Sequence, residues 1–129
     1  MTETDFKKYN YLVIDDDDFS QEVVGSVLTR LGASKIFFAG DGEAAKRLAQ
    51  RHRPDFILLD LYMPDIDGWA LLGQLRRLVP QTVIVMVTGS HQPSDFNKSM
   101  DQNVDGFCLK PVMPDIMRKT LIKAWQRRH

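Results

Sequence analysis

Four apolar residues, Phe56 to Leu59, run without a break into Asp60. A short apolar run bounded by turn residues predicts a strand buried on both faces, as the strands of a parallel sheet are. A carboxylate closing such a strand sits on the rim of the sheet, where ligands bind in open α/β folds. Leu61, Tyr62, Met63 and Pro64 follow, and then a second acidic turn, Asp65-Ile66-Asp67-Gly68. Pro64 has no N–H and drives Met63 out of the helical region, so the chain must turn there. Asp67 can cap a helix running from Gly68 towards Val79.

The same pattern recurs along the chain. Tyr11 to Ile14 is an apolar run ending in Asp15-Asp16-Asp17-Asp18. Phe19, Val23, Val27 and Leu31 then recur at helical spacing, widened by Val24 and Leu28. One of the late aspartates can cap that helix, and Gly32 stands where a left-handed terminator belongs. Lys35 to Ala39 reads as strand two. Gly40-Asp41-Gly42 is a turn before a helix from Glu43 to Arg51, and Pro54 leads into strand three. The helix from Trp69 to Val79 is stopped by Pro80. Strand four, Thr82 to Val87, ends at Thr88-Gly89-Ser90. After a polar loop with Pro93, Ser94 or Asp95 can cap a helix ending near Asn103. Gly106 to Leu109 is strand five, ending at Lys110-Pro111, and a last helix runs from Asp115 to Trp125.

Strands alternating with helices imply βαβ units. The expected architecture is α/β: a doubly wound, five-stranded parallel sheet with five helices. At 129 residues the chain fits one domain, residues 1–129. Its formal net charge is zero, so a broadly basic surface for direct nucleic-acid binding is not expected. No apolar run approaches the roughly 20 residues that span a membrane, and the polar N-terminus does not resemble a signal peptide. The single cysteine, Cys108, can form no internal disulfide; it suits a small core residue and a reducing cytoplasm.

Parallel strands bring their carboxyl ends to one edge, which here collects Asp15 and Asp16, Asp60, Thr88 and Lys110. Clustered carboxylates repel, and each resists ionising beside the others. A divalent cation relieves that, and oxygen ligands without His or Cys suit Mg²⁺. A hydroxyl and an ammonium facing the same spot suit a phosphoryl group. The chemistry expected is a carboxylate nucleophile, Asp60, that accepts a phosphoryl group with Mg²⁺ assistance.

Over nearly its full length the chain resembles a response-regulator receiver domain of two-component signalling, of the chemotaxis-regulator kind. The pieces that carry the resemblance are VIDDDD ending at Asp18, DLYMPDIDG from Asp60 to Gly68, VTG from Val87 to Gly89 and LKP from Leu109 to Pro111. Each is weak alone; in this order, each at a predicted strand end, the set is highly specific. The resemblance, not the spacing, supplies the sheet order 2-1-3-4-5 of a flavodoxin-like fold. It implies that Asp60 is the phosphoacceptor. Asp15 and Asp16 would be the acidic pair, Asp16 meeting the metal directly and Asp15 through water. Tyr62 would complete the metal shell with its backbone carbonyl. Thr88, Gly89, Tyr62 and Lys110 would surround the phosphoryl group. Pro111 is the proline after the lysine, often preceded by a cis bond. Thr88 and Phe107 would be the switch pair. Sequence departures are Gly89-Ser90, where alanine is commoner, and Asn103 in place of a helix-ending glycine.

The implied function is a phosphorylation-dependent switch whose output leaves through the fourth helix, fifth strand and fifth helix. Its donor would be a sensor histidine kinase or histidine phosphotransfer domain, and an unidentified output partner or effector domain would receive the signal. Beyond its own phosphoryl transfer and autodephosphorylation it would not be an enzyme. Two other classes are weighed against it. A small Mg²⁺-dependent phosphohydrolase would need a substrate cap, which no stretch resembles. A phosphorylation-independent interaction domain would have no use for the complete set of groups. Blander roles suit several residues. Asp17 and Asp18 fit a solvated turn and helix cap, and Phe107 fits core packing as well as switching. His91 fits a loop, His52 and His129 look incidental, and Met100, Met113 and Met117 fit packing. Arg127-Arg128-His129 reads as a solvated tail or the start of a linker.

Overall fold

The computed structural model describes residues 1–89, 97–98 and 104–129. Five parallel strands form one sheet in the order β2-β1-β3-β4-β5. They are β1 (Asn10–Ile14), β2 (Lys35–Ala39), β3 (Phe56–Leu59), β4 (Val83–Thr88) and β5 (Gly106–Leu109). Among the described residues the α-helices are α1 (Asp18–Leu31), α2 (Gly42–His52), α3 (Gly68–Leu78) and a C-terminal helix (Pro114–Arg128). The expected fourth helix, capped by Ser94 or Asp95 and ending near Asn103, lies outside the described residues except for residues 97–98, which are helical. Ser90, His91 and Met100 also lie outside them.

Side chains alternate across a strand, so each strand feeds two cores. Tyr11, Val13, Phe56, Leu58, Val85, Val87 and Cys108 pack with α1 and the C-terminal helix. Leu12, Ile14, Ile57, Leu59, Ile84 and Met86 pack with α2 and α3, and Phe107 is half-buried on that side. Every residue of β3 and β4 is buried, as a two-sided sheet requires. Each fully buried Leu, Ile or Phe in these layers contributes about 1.5–3 kcal/mol relative to exposure.

Several local expectations are refined. Asp17 is the cap of α1, its side chain accepting from the Ser20 N–H, and Gly32 ends that helix at φ 114°. The buried stripe of α1 begins at Val24; Phe19, which shares its spacing, is 71% exposed. Asp67 occupies the N-cap position of α3 but makes no side-chain cap bond. The C-terminal helix runs past Trp125 to Arg128, and Arg128 is no solvated tail. Its Nε donates to both oxygens of buried Asp105 at 3.0 Å, and its Nη1 donates to the Pro80 carbonyl. Two histidines that look incidental in the sequence stack on aromatic rings, His52 on Phe37 at 3.9 Å and His129 on Trp125 at 4.0 Å. The polar N-terminus hides a short 3-10 turn, Phe6–Lys8, whose Phe6 is buried and whose Phe6 carbonyl accepts the Tyr11 hydroxyl at 2.7 Å.

Candidate functional site

Strand register delivers the site. Ile14 lies opposite Leu59, Leu59 opposite Met86, and Met86 opposite Phe107, so these residues form one row across the sheet. Asp15, Asp60, Val87 and Cys108 come one residue later, and Lys110 two residues after Cys108. Alternation therefore sends Asp15, Asp60 and Lys110 to the same side of the sheet edge. The backbone continues the ladder past the strands. The Asp15 N–H donates to Ala39, the Asp60 N–H to Ile14, and the Lys110 N–H to Thr88, at 3.0, 3.0 and 2.8 Å.

One carboxylate oxygen from each of Asp15, Asp16 and Asp60 lies within 4.8 Å of the others. Asp15 and Asp60 are buried, while Asp16 is exposed. The Lys110 ammonium bridges the buried pair, 2.7 Å from Asp15 Oδ2 and 3.3 Å from Asp60 Oδ2. The other Asp15 oxygen accepts from the Asp17 N–H at 3.0 Å. Burial raises the Asp60 carboxyl above its usual range; Lys110 opposes the rise and the Asp15 charge adds to it. For Lys110, burial pulls the ammonium down, but its hydrogen bond to Asp15 and the charges of Asp60 and Asp15 outweigh that and leave it raised. One ammonium against three carboxylates leaves the edge net negative. An all-oxygen donor set of that charge fits a hard divalent cation such as Mg²⁺.

The remaining groups close around this edge. Thr88, the last residue of β4, is fully buried. Tyr62 is exposed at the rim, with its N–H 3.5 Å from Asp60 Oδ1. Its loop returns on itself: Tyr62 bridges Asp67, and the Gly68 N–H donates to the Leu61 carbonyl at 3.0 Å. A Cβ on Gly68 would lie 2.6 Å from Leu61 Cα, so only glycine allows so tight a return. The peptide between Lys110 and Pro111 is cis. Among the described residues, nothing lies within 4 Å of where a Cβ on Gly89 would stand.

Sequence reasoning missed the supports. Gln21 on α1 donates its amide to the Asp15 carbonyl at 2.7 Å and reaches the Ala39 carbonyl at 3.4 Å, tying the ends of β1 and β2 together. The only signal for it was a polar residue near the start of α1. Beside Lys110, a groove of about 380 Å³ is lined by Asp17, Phe19, Ser20, Val23, Pro111 and Val112. Exposed Phe19 belongs to that groove rather than to the core.

Known proteins carry the same arrangement of chain. The chain is 29% identical over 121 residues to the probable C4-dicarboxylate response regulator DctR of Bacillus subtilis, covering 93% of this chain and 54% of that protein. It is 24% identical over 116 residues to the chemotaxis protein CheY of the same organism, covering 90% of this chain and 97% of that one. The chain thus spans about half the length of the first of these relatives. Among solved structures, the receiver domain of AraT, a response regulator from Geobacillus stearothermophilus, superposes with a TM-score of 0.80 at 29% identity, covering 92% of this chain and 94% of that one. The family model for the response regulator receiver domain matches residues 11–122, from the first strand to well into the C-terminal helix. That span holds every strand end described above, and the chain belongs to the response-regulator receiver domains of two-component systems.

Proposed function

We propose that Asp60 is the phosphoacceptor of this receiver domain and that residues 1–129 act as one switching unit. The observation that carries the reading is the convergence of Asp15, Asp16, Asp60 and Lys110 on one sheet edge. A side-chain oxygen of Asp60 attacks the phosphorus of a phosphohistidine on a sensor kinase or phosphotransfer domain. The new P–O bond forms as the P–N bond breaks, its electron pair leaving with the imidazole nitrogen. Asp15, Asp16, Asp60 and the Tyr62 carbonyl would hold Mg²⁺, which when bound supplies positive charge for the transferring phosphoryl oxygens. Lys110, Thr88, Tyr62 and the Gly89 backbone receive those oxygens afterwards. The Lys110 ammonium, now shared between Asp15 and Asp60, is already placed to follow the charge outward. Slow hydrolysis of the acyl phosphate by the domain itself resets the switch.

The groove along Phe19, Val23, Pro111 and Val112 opens beside Lys110 and offers an apolar seat for the donor domain. Among the described residues no helix is long and apolar enough to cross a membrane, and the place of work proposed for the domain is the cytoplasm. Output passes to an effector domain or separate partner as Thr88 and Phe107 shift together. The experiment is phosphoryl uptake from a small acyl-phosphate donor with and without Mg²⁺, followed by neutral hydroxylamine. A Mg²⁺-dependent label that hydroxylamine removes is expected, because an acyl phosphate is cleaved and a serine ester is not. A label that survives hydroxylamine would contradict an aspartyl product.

A further inference from the structure

The loop after Asp60 is held at its far end by a helix from another part of the chain. Both carboxylate oxygens of Asp65 accept from the Gly42 N–H, at 2.9 and 3.0 Å. Gly42 is the first residue of α2, and that helix already has its own cap, Asp41, which accepts from the Ala44 N–H at 2.8 Å. The end of α2 thus carries two carboxylates, one local and one reaching in across 23 residues of sequence. Ile66 adds an apolar contact. It packs with the second core, and a Cβ on Gly42 would lie 2.5 Å from its Cγ2 and 3.3 Å from Asp65 Oδ2. The other end of the loop is closed by the Gly68–Leu61 hydrogen bond. Tyr62 lies between these two fastenings. A carboxylate on a helix N-terminus meets both the free N–H groups and the favourable end of the helix dipole. Asp65 needs neither contact to cap its own helix, which starts after Asp67.

We infer that Asp65 is a positioning residue, whose seat on the N-terminus of α2 fixes the loop that presents the Tyr62 carbonyl to the metal. The inference rests on the proposed Mg²⁺ site and deepens it. Groups that orient metal ligands from behind typically change affinity by about 10–100-fold when removed. Asp65→Ala is therefore expected to weaken Mg²⁺ about 10-fold. Asp65→Asn, which keeps an acceptor oxygen but no charge, should retain most of the affinity. Asp41→Ala removes the other cap of the same helix and should lower the melting temperature comparably while leaving Mg²⁺ affinity unchanged.

The test is Mg²⁺ titration of all four proteins, alongside metal-free hydrogen exchange at the Tyr62 and Gly68 amides. Exchange should quicken in Asp65→Ala and stay as in wild type in Asp41→Ala. If Asp65→Ala does not fold, Gly42→Ala loosens the same joint from the other side and carries the same expectations. Wild-type Mg²⁺ affinity in Asp65→Ala overturns the inference. So does a loss in Asp65→Asn equal to that in Asp65→Ala, which would make the effect one of charge at a distance, or an equal loss in Asp41→Ala. If wild type itself binds no Mg²⁺, the proposed function fails, and the exchange rates still decide whether Asp65 holds the loop.

Discussion

Asp60 is a carboxylate kept where ionising it is costly. Burial raises its pKa, and Asp15 beside it raises it further, against the pull of Lys110. A carboxyl with a folded pKa above its unfolded value binds more protons folded than unfolded. The stability of the metal-free domain therefore falls as pH rises from the unfolded value of Asp60 through its folded one, and stays lower at neutral pH. Asp60→Asn removes that cost and leaves Lys110 with Asp15. The metal-free variant is expected to be more stable than wild type near neutral pH, with a flatter dependence above the ordinary carboxylate range. Urea unfolding at several pH values checks both. Asp16→Asn should weaken Mg²⁺ far more than Asp17→Asn, because Asp16 belongs to the cluster and Asp17 is occupied capping α1. Asp15, Asp60 and Lys110 were legible because each is a charged residue closing an apolar run. Phe19 was misleading. Helical spacing marks a side of a helix but not how far along it the neighbouring layer extends, and the first turn of α1 lies beside the groove.

Helix ends show how unevenly a sequence reports its own contacts. Asp17 and Asp67 look alike as caps, yet of the two only the Asp17 side chain accepts a capping hydrogen bond from its helix. Asp17→Ala should cost about 1 kcal/mol of stability and Asp67→Ala close to nothing, measured by thermal melting. At the other edge of the sheet, Asp105 accepts from Arg76 Nη2 at 2.6 Å, from Arg128 Nε and from the Ile84 N–H at 2.9 Å. This joins the ends of α3 and the C-terminal helix to the start of β4. Asp105→Ala would strand two arginines against half-buried surroundings and is expected to destabilise by about 3 kcal/mol in denaturant unfolding. No local pattern announced the joint, since its partners lie 29 and 23 residues from Asp105. The strands and most helix bounds were legible because periodicity and Gly, Pro and Asp punctuation are local signals.

For the molecule as a whole, alternation of strands and helices dictated the layers, whereas the sheet order came from resemblance. Nothing in a single strand states which neighbour it will have. The order places β3 at the centre with β1 beside it, and that adjacency is what brings Asp15 to Asp60. Phe107 sits in the same row as Met86, Leu59 and Ile14, half-buried towards α2 and α3 and two strands from Asp60's own, with β4 between them. A phosphoryl group that draws Thr88 inward would be felt along β4 and at Phe107. The central claim is narrower than this switching path: the convergent edge exists to put one phosphoryl group on Asp60. Intact-mass spectrometry of wild type and Asp60→Asn, each incubated with a small acyl-phosphate donor and Mg²⁺, tests it most directly. The expected result is one phosphoryl group on wild type and none on the variant. Equal uptake by Asp60→Asn would contradict the account.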